Sequence, residues 1–442
     1  MSITFQNITK GVLILENLKR VQIADGVHFN TIYDERFKTS RIAVTFLVDM
    51  DKDKVSANAI VPNILTRSCR EYPTFREFNR KLDWLYGTSI VGVNGKMGDF
   101  QALTLYGVCL DDRYSLDGES VNSEMAKLLC SAIFDPDVTH GAFSEENFKQ
   151  EQRQLLDAID AQFNSKRAYS LKRFFEVMCA NEKYGINKYG TKEQVLSLSS
   201  QDAYNAYCEI IKTAKVEIMC LGSSDSDSVC ELFKEKFSSV ERTPIDGDTL
   251  IIPKADSVKE KTDKLDVAQS KLIIGFRTDC AHPDDEVYSM KLASAILGGT
   301  AHSKLFNNVR EKLSLCYYCS SAYDANKGIL YIESGVQKEN IEKAKEAILS
   351  EVEEMKKGNI TDEEMTSTKL SLKNSYLTSV DSSGGTQAWY LAQVLIGKQI
   401  TPQQQAEIIE AVTKEQVVAA ANKLTLDTVY VLTSQDAEGE SE

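Results

Sequence analysis

The run Lys304–Tyr323, KLFNNVREKLSLCYYCSSAY, gathers the residue types best suited to chemistry in this chain of 442 residues. Arg310 offers a planar fork of N–H donors and Tyr317 a single phenolic O–H, and a peptide carbonyl can accept from both. Tyr318 stands beside Tyr317 as a second phenol. Cys316 and Cys319 have the C-x-x-C spacing that serves redox or metal chemistry elsewhere. No second cysteine pair accompanies them, and residues three apart in a regular strand point to opposite faces. That spacing argues against a joint role. Arg310 and Tyr317 also have plainer uses, because an arginine on a surface helix is commonly solvated and a strand tyrosine commonly half-buried. Spacing alone leaves both readings open.

The elements that must position these residues can be read from periodicity. Leu305, Phe306, Val309 and Leu313 recur at helical spacing, which predicts an amphipathic helix with Arg310 near its end. Leu315–Tyr323 is aromatic and strand-forming, with Tyr317 early in it. A guanidinium and a phenol can converge at such a junction. Further back, 11–15, 21–23 and 42–48 read as strands, and 55–68 as a helix that Pro62 interrupts. A helix capped by Thr74 runs to Leu85, followed by strands over 89–93 and 100–108. Helices are expected over 123–133, from Ser144 onward, over 171–178 and over 201–211, with a strand over 216–220.

After the polar stretch SSVERTPIDGD the same order returns. Leu272–Phe276 answers Ala43–Phe46, and Val287–Leu297 answers Val55–Ser68. Lys304–Leu313 answers Phe75–Leu85, strands over 315–321 and 329–335 answer the earlier pair, and Ile341–Met355 answers Ser123–Ile133. Thr361-Asp-Glu-Glu364 is a capping box that opens a long helix. A duplication with one element order is a stronger signal than any single match. The expected fold is α+β: two homologous halves, each a mainly antiparallel sheet backed by helices. The halves are placed at 1–237 and 251–434, joined by a linker at 238–250, with an acidic, disordered tail at 435–442.

Within this frame the run L-F-x-x-V-R-E-K-x-x-L-x-Y, Leu305 to Tyr317, resembles a signature of the pitrilysin-type metallopeptidases, also called inverzincins. Leu297-Gly298-Gly299 resembles the loop that precedes it in that family. The resemblance implies two domains that face each other as a clamshell around a peptide. It also implies that Arg310 and Tyr317 hold the substrate backbone opposite a zinc site.

The metal motif of that family is H-x-x-E-H on one helix, with a further carboxylate on a later one. This chain has four histidines, His28, His140, His282 and His302, and no two lie four apart. Neither H-x-x-E-H nor H-E-x-x-H occurs. The stretch Cys69-Arg-Glu-Tyr-Pro-Thr74 resembles the family's sequence just past the motif. Counting back places the two histidine positions at Ala59 and Asn63 and the glutamate position at Pro62. The third ligand's counterpart is Ala158, or Asp157 if the register shifts by one. Alanine and proline offer no ligand and a lone asparagine is a poor one for zinc. The resemblance therefore implies no metal and no cofactor in this chain. No serine elbow, phosphate loop or dinucleotide fingerprint occurs either.

Composition narrows the rest. Hydrophobic residues at 42% and charged residues at 26% fit a globular chain of two to four domains. A net charge of −14 argues against nucleic acid, whose phosphates need clustered Lys and Arg. No apolar run approaches the ~18 residues that span a bilayer. The first twenty residues lack a basic stretch followed by an apolar core, so a cytoplasmic protein with ten reduced cysteines is expected. An intact Arg/Tyr pair beside a lost metal motif resembles the non-catalytic subunit of paired bacterial peptidases of this family. That implies a peptide substrate and a partner subunit that carries H-x-x-E-H and the zinc. The alternative is a peptide-binding or scaffold protein of the same fold with no part in proteolysis. A self-sufficient hydrolase is disfavoured by the missing motif.

Overall fold

The computed structural model describes residues 12–14 and 18–435. The expected acidic tail lies, past Gln435, outside the described residues. The chain opens with β1 (Val12–Ile14), β2 (Leu18–Ala24), β3 (Val27–Tyr33) and β4 (Thr39–Asp49). Helices α1 (Val55–Ile64) and α2 (Phe75–Trp84) precede β5 (Ser89–Met97) and β6 (Phe100–Leu110). Then come α3 (Val121–Phe134), the short strands β7 (Val138–Thr139) and β8 (Ala142–Phe143), α4 (Glu145–Asn164) and α5 (Lys166–Met178). The first half closes with α6 (Lys192–Ser197), α7 (Ser200–Thr213), β9 (Lys215–Gly222) and α8 (Ser226–Ser238).

The second half opens with β10 (Lys259–Lys264), β11 (Ser270–Arg277) and α9 (Val287–Ser294). Two π-helical segments, Ala295–Gly299 and Leu305–Lys312, lead into β12 (Cys316–Asp324) and β13 (Ile329–Val336). The remainder is α10 (Ile341–Lys356), α11 (Asp362–Thr378), α12 (Ser383–Leu395), α13 (Pro402–Ala411), α14 (Lys414–Asn422) and β14 (Thr425–Thr433).

The duplication holds strand by strand. One sheet runs β1-β2-β3-β9-β4-β6-β5 and the other β10-β14-β11-β13-β12. Each contains one parallel pair, β3 with β9 and β10 with β14, and the remaining pairs are antiparallel. The order β3-β9-β4-β6-β5 thus repeats as β10-β14-β11-β13-β12. This is the α+β architecture of antiparallel-rich sheets backed by helices.

The chain forms two compact units, and each contains one helix from the other half of the sequence. Unit 1 comprises 1–159, 186–248 and 380–395; unit 2 comprises 160–185, 249–379 and 396–442. The strand pattern explains why. In β9, Ile218 and Cys220 face a core with Phe46, Ile60, Met125 and Phe233, whereas Met219 and Leu221 face the other way. That second face is covered by Tyr390 and Val394 of α12. In unit 2, Leu272 and Ile274 of β11 face Leu297, Val309 and Ile348, while Ile273 faces Phe174 and Met178 of α5. Residues alternate between the faces of a strand, so a strand apolar at consecutive positions needs a cover on both sides. Each fully buried side chain of this size contributes roughly 1.5–3 kcal/mol by transfer alone.

The polar stretch after α8 carries no regular element until β10. It is nonetheless anchored. Arg242 is buried and donates to the carbonyls of Asp25, Ile211 and Ala214. Thr243 N and Ile245 N bond the carbonyls of Lys212 and Thr213 at 2.9 and 2.8 Å. Among the described residues no helix is long and apolar enough to cross a membrane.

Candidate substrate-binding site

The segment that carries Arg310 is helical but wound as a π-helix, not as the α-helix its spacing predicts. Leu305 and Val309 are buried, and Leu313, expected on the same apolar face, is exposed. The reason lies at the exit. Leu313 N bonds Asn308 O at 3.0 Å, five residues back, and Leu315 N bonds Val309 O at 3.1 Å. Ser314 takes the left-handed backbone conformation at φ 50°, which turns the chain out of the helix and into β12. π-Helical turns are rare and frequent at functional sites.

Arg310 is half-exposed at the end of this segment. Its guanidinium lies 4.6 Å from the centre of the Phe306 ring, and its Nε is 3.5 Å from Glu311 Oε1. The aromatic face beneath it limits the orientations of the planar group. Tyr317 is 57% exposed, although it lies within a strand. The pairing of β12 with β13 explains this. Cys316 opposes Val336 and Tyr318 opposes Gly335, so Tyr317 is one residue more than the ladder accommodates. It is a β-bulge, and a bulge re-aims the side chain of the extra residue. The Tyr317 hydroxyl accepts a hydrogen bond from Gln337 Nε2.

The neighbouring Tyr318 is committed elsewhere. Its ring lies 4.9 Å from the Arg167 guanidinium and 5.5 Å from the Lys271 ammonium, and burial pushes its hydroxyl up to about 12. A Cβ at Gly335 would come within 2.9 Å of Tyr318 Cδ1, so only glycine leaves room for that ring. Of the two phenols, Tyr317 is the one presented to solvent. Gln337, the stacking of Phe306 beneath Arg310 and the bulge were not anticipated from the sequence.

The bulge also corrects the reading of the cysteines. Cys319 opposes Ser334, two residues from the partner of Cys316. The extra residue therefore brings Cys316 and Cys319 onto one face. The Cys319 thiol bonds the Cys316 sulfur and holds it down to about 7; burial acts the other way, and Ser334 and Arg310 add to the lowering. The bond to Cys316 and burial raise Cys319 well above the ordinary thiol range.

The positions that the resemblance matched to the metal motif lie in unit 1. Ala59, Pro62 and Asn63 share α1, which continues through Pro62 to Ile64. Ala59 and Pro62 are buried and Asn63 half-buried. Asn94 Nδ2 donates to Ala59 O at 2.8 Å. The backbone of β5 closes directly on this part of the helix. A Cβ at Gly92 would lie 2.6 Å from Asn63 Oδ1 and from Pro62 O. Ala158 is half-buried on α4 and Asp157 is exposed. Arg67 links the end of α1 to α4, bonding Asn147 Oδ1 at 3.2 Å and Glu151 Oε1 at 2.9 Å. Glu151 lies seven residues, about 10 Å along the helix, before Ala158. An apolar methyl, a proline and an amide packed onto a glycine do not fit a zinc ion. Among the described residues no three of His, Cys, Asp and Glu converge as a metal site.

Residues 197–372 match the family model described as "Peptidase M16 inactive domain". The chain is 30% identical over 407 residues to a Bacillus subtilis (strain 168) protein named "Probable inactive metalloprotease YmfF", spanning 92% of this chain and 96% of that protein. It is 24% identical over 290 residues to the "Uncharacterized zinc protease YmxG" of the same strain, spanning 64% of this chain and 69% of that one. Among solved structures, a conserved protein from Enterococcus faecalis V583 superposes with a TM-score of 0.90 at 26% identity, covering 96% of this chain and all of that one.

Proposed function

The chain belongs to the M16, or pitrilysin-type, peptidase family, and we propose that within it this protein is the non-catalytic, substrate-holding subunit of a heterodimeric peptidase. The partner is an M16 chain that carries H-x-x-E-H and its zinc, and the hydrolytic chemistry belongs to that partner. The observation that carries this reading is that Arg310 is half-exposed and that, seven residues on, a bulge lifts Tyr317 out of its ladder to solvent. The residues aligned with the metal motif meanwhile offer no ligand set.

The chemistry assigned to the pair is simple. A peptide carbonyl near the scissile bond carries growing negative charge as the bond is attacked. Donors already aimed at that oxygen stabilise it without reorganisation, and loss of one such donor costs about 10²–10³ in turnover. Arg310 contributes a charged fork and Tyr317 a neutral O–H. The name of the Bacillus subtilis relative, a probable inactive metalloprotease, agrees with a chain that performs no hydrolysis alone.

Affinity capture of the tagged chain from its host, followed by peptide cleavage with and without chelator, tests the proposal. It requires that a second M16 chain with H-x-x-E-H is captured and that chelator stops cleavage by the pair. A chain captured as a homodimer that binds no peptide would replace this reading with that of a scaffold of the same fold.

A further inference from the structure

The bulge at Tyr317 builds a second site next to the first. Cys316 and Cys319 oppose Val336 and Ser334, which are two residues apart on β13 and therefore on one face. Two residues of strand rise about 6.6 Å. That lies within the Cα separation of roughly 4.4–6.8 Å that disulfides bridge. Both thiols are free; Cys316 is half-exposed and Cys319 is buried. The Ser334 hydroxyl is fully buried against both sulfurs and makes no hydrogen bond of ordinary geometry. One accessible sulfur, one sheltered sulfur on the same face, and a buried hydroxyl beside both form the frame of an attacking and a resolving thiol.

We propose that Cys316 and Cys319 are a dithiol that hydroperoxides oxidise reversibly, with Cys316 as the attacking sulfur and Cys319 as the resolving one. In the first step the Cys316 thiolate attacks the terminal oxygen of the hydroperoxide. The S–O bond forms, the O–O bond breaks, and the departing alkoxide or hydroxide takes a proton from water. In the second step Cys319 loses its proton to the oxygen on Cys316 and attacks that sulfur. The S–S bond forms, the S–O bond breaks, and water leaves. Two electrons pass from the dithiol to the hydroperoxide, and a thiol reductant reverses the change.

Neighbouring groups support the assignment. The Cys319 thiol and the Arg310 charge favour the thiolate at Cys316 near neutral pH. Burial drives Cys109, Cys130 and Cys220 the opposite way, which leaves them as unreactive internal controls. A bond between positions 316 and 319 would tighten the bulge that presents Tyr317. Any effect on peptide holding rests on the function proposed above, whereas the redox chemistry does not.

The full chain, reduced and then freed of reductant, is treated with hydrogen peroxide and read by intact mass and peptide mapping. The expected result is loss of two hydrogens localised to a 316–319 link and restored by dithiothreitol. Cys319→Ser should instead gain one oxygen on Cys316, trapped by dimedone, and Cys316→Ser should show neither change. A stable single-oxygen product on Cys316 in the native chain would overturn the proposal. So would oxidation of the buried cysteines without a 316–319 link, or no reaction at peroxide levels that oxidise a free thiol. Peptide cleavage plays no part in this readout, so failure of the dithiol and failure of the clamping function are separable.

Discussion

Replacing Glu182 by glutamine removes one charge from the most deeply buried ion network of unit 2. Glu182 Oε1 accepts from Arg277 Nη2 at 2.6 Å and Oε2 from Arg277 Nη1 at 3.2 Å. Lys327 Nζ lies 2.9 Å from Oε2. Arg277 Nε donates to Asp427 Oδ2 at 2.7 Å and its Nη2 to Met178 O at 3.2 Å. The side chains of Arg277 and Asp427 are each 2% exposed and that of Lys327 0%. Two buried cations and two buried anions, with the half-exposed Lys259 ammonium 3.9 Å from Asp427 Oδ1, tie the segment after α5 to β11 and β14. Glutamine keeps the shape and leaves one positive charge uncompensated. Breaking one partner of such a network costs about 3–5 kcal/mol. A unit of about 200 residues loses about 2–4 °C of melting temperature per kcal/mol. The thermal midpoint of the unit 2 transition should therefore fall by about 6–20 °C, read by circular dichroism on the full chain. Adding Lys327→Met restores the charge balance and should recover part of the loss. A drop under about 2 °C, or a double variant that loses the sum of the single losses, would refute the electrostatic argument.

Other predictions follow from the same packing. Burial raises the Glu182 carboxyl, but the bonds from Arg277 and Lys327 outweigh it and hold the group below its ordinary value of 4.5. Its contribution is complete above that value and fades as pH falls through the lower folded one, so the glutamine variant should show a smaller loss in acid urea titrations. Burial first, then the charges of Lys291 and Lys398, press His282 down to about 4 from 6.5. The unfolded chain takes up that proton first, so stability should decline as pH falls from 6.5 to 4; His282→Gln should flatten that part of the urea midpoint against pH. A Cβ at Gly275 would lie 2.8 Å from Met178 Sδ and against the fully buried Phe174 ring. Gly275→Ala should lower stability by about 1–3 kcal/mol and weaken amide protection in α5 most, and unchanged exchange there would contradict the packing described.

Much of this architecture was legible in the sequence because it rests on periodicity. The β-forming apolar runs of β4, β6, β11 and β13 and the return of one element order marked two halves before any strand pairing was known. The destination of α5 and α12 was not legible. Amphipathic spacing shows that Phe174, Met178, Tyr390 and Val394 need a surface to cover, but not which half supplies it. The consecutive apolar run of β9 hinted that a second face needed cover. The bulge at Tyr317 was hidden for a related reason. Cys-Tyr-Tyr-Cys reads equally well with or without an extra residue, and the choice is made by pairing with β13, where Gly335 leaves room for the Tyr318 ring. The π-helical winding before it is likewise invisible to apolar spacing, which fits 305 and 309 in either kind of turn. The absence of H-x-x-E-H, by contrast, is plain from four histidines, no two of which lie four apart.

The most direct test of the substrate-holding function is the kcat/KM of the reconstituted pair with Arg310→Ala and, separately, Tyr317→Phe in this subunit. Size-exclusion chromatography and the thermal midpoint confirm that each variant still folds and assembles. The account predicts that each variant lowers kcat/KM by about 10²–10³ with assembly intact. Native turnover in both variants would contradict it, and would return Arg310 and Tyr317 to the ordinary roles of a solvated arginine and an exposed strand tyrosine.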